Sequence, residues 1–182
     1  MLGIIIGGAL LVLFVLWIIT TYNNFITLGE RVTNGKAQIA TQIESRWDAV
    51  ESLINATKKY SQHETKTLEE VTAQRINVGQ NSSIDEIEKG EAQLNSVLGR
   101  LIAISENYPD LKASEVYKST MQSINKFEEH VRSARMIYND VVTKFNRQTK
   151  IFPSNIIAKL FNFTEREYFQ GSDSKQEMPK WD

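Results

Sequence analysis

The chain has no cysteine, three prolines, nine glycines and two histidines in 182 residues. Without cysteine there is no disulfide, no thiolate nucleophile and no sulfur-bound zinc. Gly3, Gly7 and Gly8 fall in the first eight residues, so the remainder has few of the breakers that punctuate β-rich domains. An excess of one charge is missing too: 21 Lys and Arg stand against 22 Asp and Glu, a net charge of −1, and no global field selects nucleic acid as a partner. Signatures of chemistry are equally scarce. His63-Glu64 opens like a zincin helix, but Thr67 stands where the second imidazole belongs. The residues three before His63 and His130 are Tyr60 and Phe127, not the glutamates of a di-iron site. No Walker loop, dinucleotide fingerprint or nucleophile elbow occurs. The expectation is a protein that is not an enzyme, with no catalytic, cofactor-binding or metal-binding residues and no cofactor.

What is present begins with Leu2 to Ile19, "LGIIIGGALLVLFVLWII", which carries no charged side chain; the first charged side chain of the whole chain is Glu30. Eighteen helical residues cover ~27 Å, and Thr20 to Tyr22 extend this to the ~30 Å of a bilayer core. Trp17 and Tyr22 sit at its downstream end, where amphipathic rings favour the headgroups. A cleaved signal peptide is the competing reading, but the basic leading region and the small-x-small site are both missing. Residues 1–22 are therefore expected to form a transmembrane anchor that meets the lipid bilayer through residues 2–19, in a single-pass protein. No basic residue precedes the span, and Arg31 and Lys36 follow within twenty residues, which leans the following domain towards the cytoplasm.

Residues 23–169 read as an all-α domain. From Tyr22 to Val78 no proline occurs, and Ile39, Ile43, Val50, Leu53, Tyr60, Leu68 and Val71 keep one stripe of a helix. Ser83 with Glu86 forms a capping box for a second helix that runs through Ile87, Leu94, Val97, Leu101 and Ile104 until Pro109. A third starts near Ser114 and carries a heptad-like seam of Tyr117, Ile124, Phe127, Val131, Ala134, Tyr138, Val141 and Phe145. A short helix follows Pro153, and 170–182 form a polar tail. Sequential helices with short connections give an antiparallel up-and-down bundle. The first helix would be ~84 Å long if it continued to Val78, against ~36 and ~54 Å for its neighbours. Either it breaks around 60–65 to give a four-helix bundle, or its spare stripe joins neighbouring protomers in a homo-oligomer.

Polar residues interrupt these stripes: Glu128, Arg135, Tyr138, Asn139 and Asn146 on the third helix, and Arg46, Glu64 and Arg75 on the first. Opposite charges on facing helices can meet as a buried polar layer that fixes register and pairing. Near the C-terminus Phe161, Phe163, Tyr168 and Phe169 form an aromatic segment suited to a partner or the membrane surface, or to folding back on the end of the bundle.

Tyr60-x-x-His63-Glu64, "ENYPDLKAS" at 106–114, Arg135-x-x-Tyr138-Asn139, "IFPSNIIA" at 151–158 and Tyr168-Phe169 occur in an order that resembles the LemA family of bacterial membrane proteins. The likeness runs from about Tyr22 to Phe169. It departs at "DAVESLI", 48–54, where the family often carries a proline, and at Gln74-Arg75, where it favours Ala-Arg. The resemblance implies a helical, single-pass protein of the bacterial cell membrane with no established activity, and so no catalytic residues to carry over. It is compatible with a scaffold, or with an accessory subunit of a membrane protease or transport complex that binds other membrane proteins.

Overall fold

A computed structural model describes residues 1–60, 72, 73 and 75–169. Five helices occur among them: α1 (Leu2–Thr57), α2 (Ile84–Asn107), α3 (Pro109–Ala113), α4 (Glu115–Lys150) and α5 (Ser154–Leu160). No strand occurs among the described residues, and the all-α reading holds. Contacts gather the chain into two compact units, residues 34–136 and residues 1–33 together with the chain from Ile137 onward.

In the 34–136 unit, α1 supplies Ile39, Ile43, Trp47, Val50 and Leu53, each fully buried. Ile87, Leu94, Val97 and Leu101 face them from α2, and Ile124 and Val131 from α4. Helix α2 starts as its sequence dictates. The Ser83 hydroxyl accepts from the Glu86 backbone N–H, and the Glu86 carboxylate accepts from Ser83 N–H at 2.7 Å. The Ser105 and Tyr117 hydroxyls meet at 2.9 Å and Glu91 pairs with Arg135, so α2 and α4 run antiparallel. The connection between α2 and α4 contains the short helix α3, with Pro109 in its first turn and Leu111 buried.

Helix α1 stops at Thr57, three residues before the expected break; the Tyr60 N–H returns to the Thr57 carbonyl at 2.9 Å, tighter than an α-turn. Residues 75–79 are not helical, so the stripe expected to run to Val78 does not do so as one helix. Nor is a spare apolar stripe left on α1 here. Ile39, Ile43 and Trp47 are core, and no large apolar residue between 34 and 57 is exposed.

The other unit joins the start of α1 to the end of α4. One 18-residue window near the N-terminus has a mean hydropathy of 2.9, lies wholly unburied and is long enough to cross a membrane. Below it Phe25 is fully buried against Phe145, with ring centroids 5.7 Å apart. Helix α4 ends at Lys150 and the Phe152–Pro153 peptide is cis. Helix α5 closes with Asn162 at φ 56°, where the Phe163 N–H bonds back to Ala158 C=O at 2.8 Å. Asn tolerates this left-handed position, and the six-to-one bond satisfies an end carbonyl. The chain then runs without helix to Phe169. The expected tail, 170–182, lies outside the described residues, as do His63 and Glu64.

Candidate functional site

In the 34–136 unit the buried polar layer is a set of four charges. Arg46, 4 % exposed on α1, places a guanidinium nitrogen 2.5 Å from a Glu128 carboxylate oxygen on α4. Arg135, two turns along α4, reaches Glu91 on α2. Burial pushes the Arg46 guanidinium below its ordinary value, and the attraction of Glu128 and then Glu91 opposes that shift, while Arg135 adds to it. Two cations and two anions thus sit within mutual electrostatic range and sum to zero. The physical effect of such a cluster is to select one helix register, because sliding any helix by a turn strands a charge away from its partner.

Arg46, Glu128 and Arg135 are brought together, and Glu91 joins them. Glu91 was missed by the sequence reading although a signal existed: it falls between Ile87 and Leu94 on the apolar line of α2. Arg75 stands apart from the four, over the Trp47 ring at 5.4 Å and 4.0 Å from Asp48. No cluster of three or more His, Cys, Asp or Glu residues that could hold a metal occurs among the described residues.

Tyr138, Asn139 and Asn146 lie in the other unit, and their partners are backbone groups of the 163–169 segment. Asn146 donates from Nδ2 to Arg166 C=O at 2.8 Å and accepts at Oδ1 from the Arg166 N–H at 2.7 Å. Asn139 repeats the pattern with Phe169, at 3.0 and 3.1 Å. Between them the Tyr138 hydroxyl donates to Glu167 C=O at 2.9 Å. The spacing explains the pair. Seven residues of helix rise ~10.5 Å and three of extended chain span ~10 Å, so two asparagines two turns apart face two backbone positions three residues apart. Each amide acts as a strand neighbour would, and a strap is laid antiparallel along α4.

Of the four aromatic candidates, two are anchors of this strap and two are exposed. Phe163 stacks on Phe25 at 4.6 Å and Phe169, 2 % exposed, sets its ring edge against Tyr138 at 5.0 Å. Phe161 touches Tyr22 at 4.8 Å yet is 45 % exposed, and Tyr168 is exposed. Arg166 lies over the Phe145 ring, and Lys150 bonds Glu165 at 2.8 Å.

The sequence profile of the LemA family matches residues 35–182. Magnetosome protein MamQ 2 of Paramagnetospirillum magneticum is 24% identical over 185 residues, covering 87% of this chain and 68% of that protein. Magnetosome protein MamQ of Magnetospirillum gryphiswaldense has the same identity and coverage, 24%, 87% and 68%. Protein LemA of Metamycoplasma hominis is 26% identical over 144 residues, 78% of this chain and 65% of that protein.

Proposed function

Since this chain belongs to the LemA family, we propose that it is a non-enzymatic, membrane-anchored helical scaffold of the bacterial envelope that self-associates through its helical domain. It is a membrane-associated helical protein. The observation that carries the scaffold reading is the use made of the buried and half-buried charges. Arg46, Glu91, Glu128 and Arg135 neutralise one another, and Asn139 and Asn146 are spent on backbone. Groups that would perform chemistry hold the fold instead. Self-association is supported by an open groove of about 450 Å³ between α1 and α4, lined mostly by small residues, among them Ser45, Ala49, Ser52 and Ser123, with Asp48 and Phe127 also on its wall. Small side chains let another helix approach closely.

The same groove favours a second reading, an accessory subunit of a membrane protease or transport complex, with the occupant a helix of another protein. Light scattering on the detergent-solubilised chain separates the two, beside a form starting at Thr20 that keeps Tyr22 and Phe25 in place. One discrete oligomer in both supports the scaffold with the helical domain as its assembly unit. Monomers in both overturn self-association and leave the accessory reading.

A further inference from the structure

We infer that α5 and the corner leading into it form a second membrane contact, an interfacial seat inserted among the lipid headgroups beside the foot of the transmembrane helix. This rests on the anchored reading above. Within this unit, Asn24 Nδ2 donates to Gln148 Oε1 at 3.3 Å, which sets the end of α4 level with the foot of the apolar span. Helix α4 runs on to Lys150 towards the span, so the corner that follows lies ~3 to 6 Å further along, level with Thr20 to Tyr22. The aromatic contacts agree. Tyr22 touches both Phe161 and Phe163, at 4.8 and 5.7 Å.

At that level the chain leaves apolar side chains uncovered. Phe152 is 79 % exposed, Leu160 70 %, and Ile151, Ile156 and Phe161 are exposed too. Ile156 and Leu160, four residues apart, lie on one side of α5, with Phe152 in the corner before it, while Ser154, Ile157 and Ala158 on its other side are buried. In water such a cluster is costly; at the boundary of a bilayer it is an amphipathic seat, and Lys159 can carry its charge to the headgroups along an apolar stem. The continuity of this patch with the span through Tyr22 and Phe161 selects lipid as its occupant over a second copy or a foreign helix.

The absence of cysteine makes the test direct, because any introduced cysteine is unique. Phe152→Cys, Ile156→Cys and Leu160→Cys are spin-labelled in the full chain, reconstituted in phosphatidylcholine vesicles, with Leu10→Cys in the span and Lys144→Cys on α4 as references. Collision rates with oxygen and with a water-soluble nickel chelate report depth. The expected result is oxygen-dominated relaxation at 152, 156 and 160, intermediate between Leu10 and Lys144. Chelate access equal to that at Lys144 would overturn the inference. Dipolar broadening between labels at 152 or 156 would overturn it in favour of a second copy. A Leu10 label open to the chelate would instead overturn the anchor on which the inference rests.

Discussion

Replacing Asn146 by alanine removes two hydrogen bonds at once, 2.8 and 2.7 Å to the same backbone residue. A typical intramolecular hydrogen bond contributes about 1 kcal/mol net, so the pair is worth ~2 kcal/mol if the freed groups reach water. Both bonds are part-buried and Asn146 is 5 % exposed, so ~2 kcal/mol is the least the variant costs. Asn139→Ala costs more. Its partner Phe169 is 2 % exposed and sits against Tyr138, so loosening it adds part of a buried aromatic's transfer free energy, for ~3 kcal/mol in all. Both asparagines hold one strap, and once either end is free the other holds less. The double variant is therefore expected to cost ~1 kcal/mol less than the sum of the singles. Asn146→Asp keeps the acceptor but points a second oxygen at Arg166 C=O, and is expected to be at least as damaging as alanine. Denaturant melts measure the cycle, and amide hydrogen exchange at Arg166 and Phe169 localises it. Strict additivity, with exchange at both amides unchanged in Asn146→Ala, would refute the strap.

Glu128→Ala is expected to cost ~3 kcal/mol and Arg46→Met ~1 kcal/mol in chemical denaturation, because losing Glu128 leaves a buried cation short of its partner, whereas Glu128 is 35% exposed and can hydrate when Arg46 is gone; equal costs would show that burial does not set the asymmetry. Gly90→Ala should lower the melting temperature although alanine is the better helix former, since a Cβ there would collide with Val78 Cγ2, while Gly99→Ala, with nothing within 4 Å, should raise it by the effect of ~0.5 to 1 kcal/mol. The Glu86 carboxylate is held below the usual glutamate range by its hydrogen bonds to Ser83. A folded value below the unfolded one contributes stability above the unfolded value of about 4.3 that is lost as pH falls through the folded one. Glu86→Gln should therefore flatten the acid limb of a stability-versus-pH curve, and an unchanged limb would count against the capping box.

Legibility in this chain follows the range of the interaction. Ser83 and Glu86 satisfy each other three residues apart, Pro109 and Pro153 act on their neighbours, and the helices between them are readable from local pattern alone. The α4 seam needed two corrections: Phe127 is only half-buried, and Val142 is fully buried in place of Val141, since steps of three and four from Tyr138 are both helical and only packing chooses. Arg46 and Glu128 could be placed on facing stripes, because a charge on an apolar line needs an opposite charge across the interface. Arg135 could be marked in the same way, but its partner required knowing that α2 lies beside α4. The asparagines mark the limit. An amide that pairs with main chain asks nothing of its partner's side chain, so Arg166 and Phe169 carry no trace of Asn146 and Asn139 beyond a matched length. The same logic separates the two halves of α5. Ile157 and Ala158 are explained by burial within the fold, whereas Ile156 and Leu160, and Phe152 just before the helix, are exposed. In the seat proposed above, the bilayer supplies the apolar phase at that level.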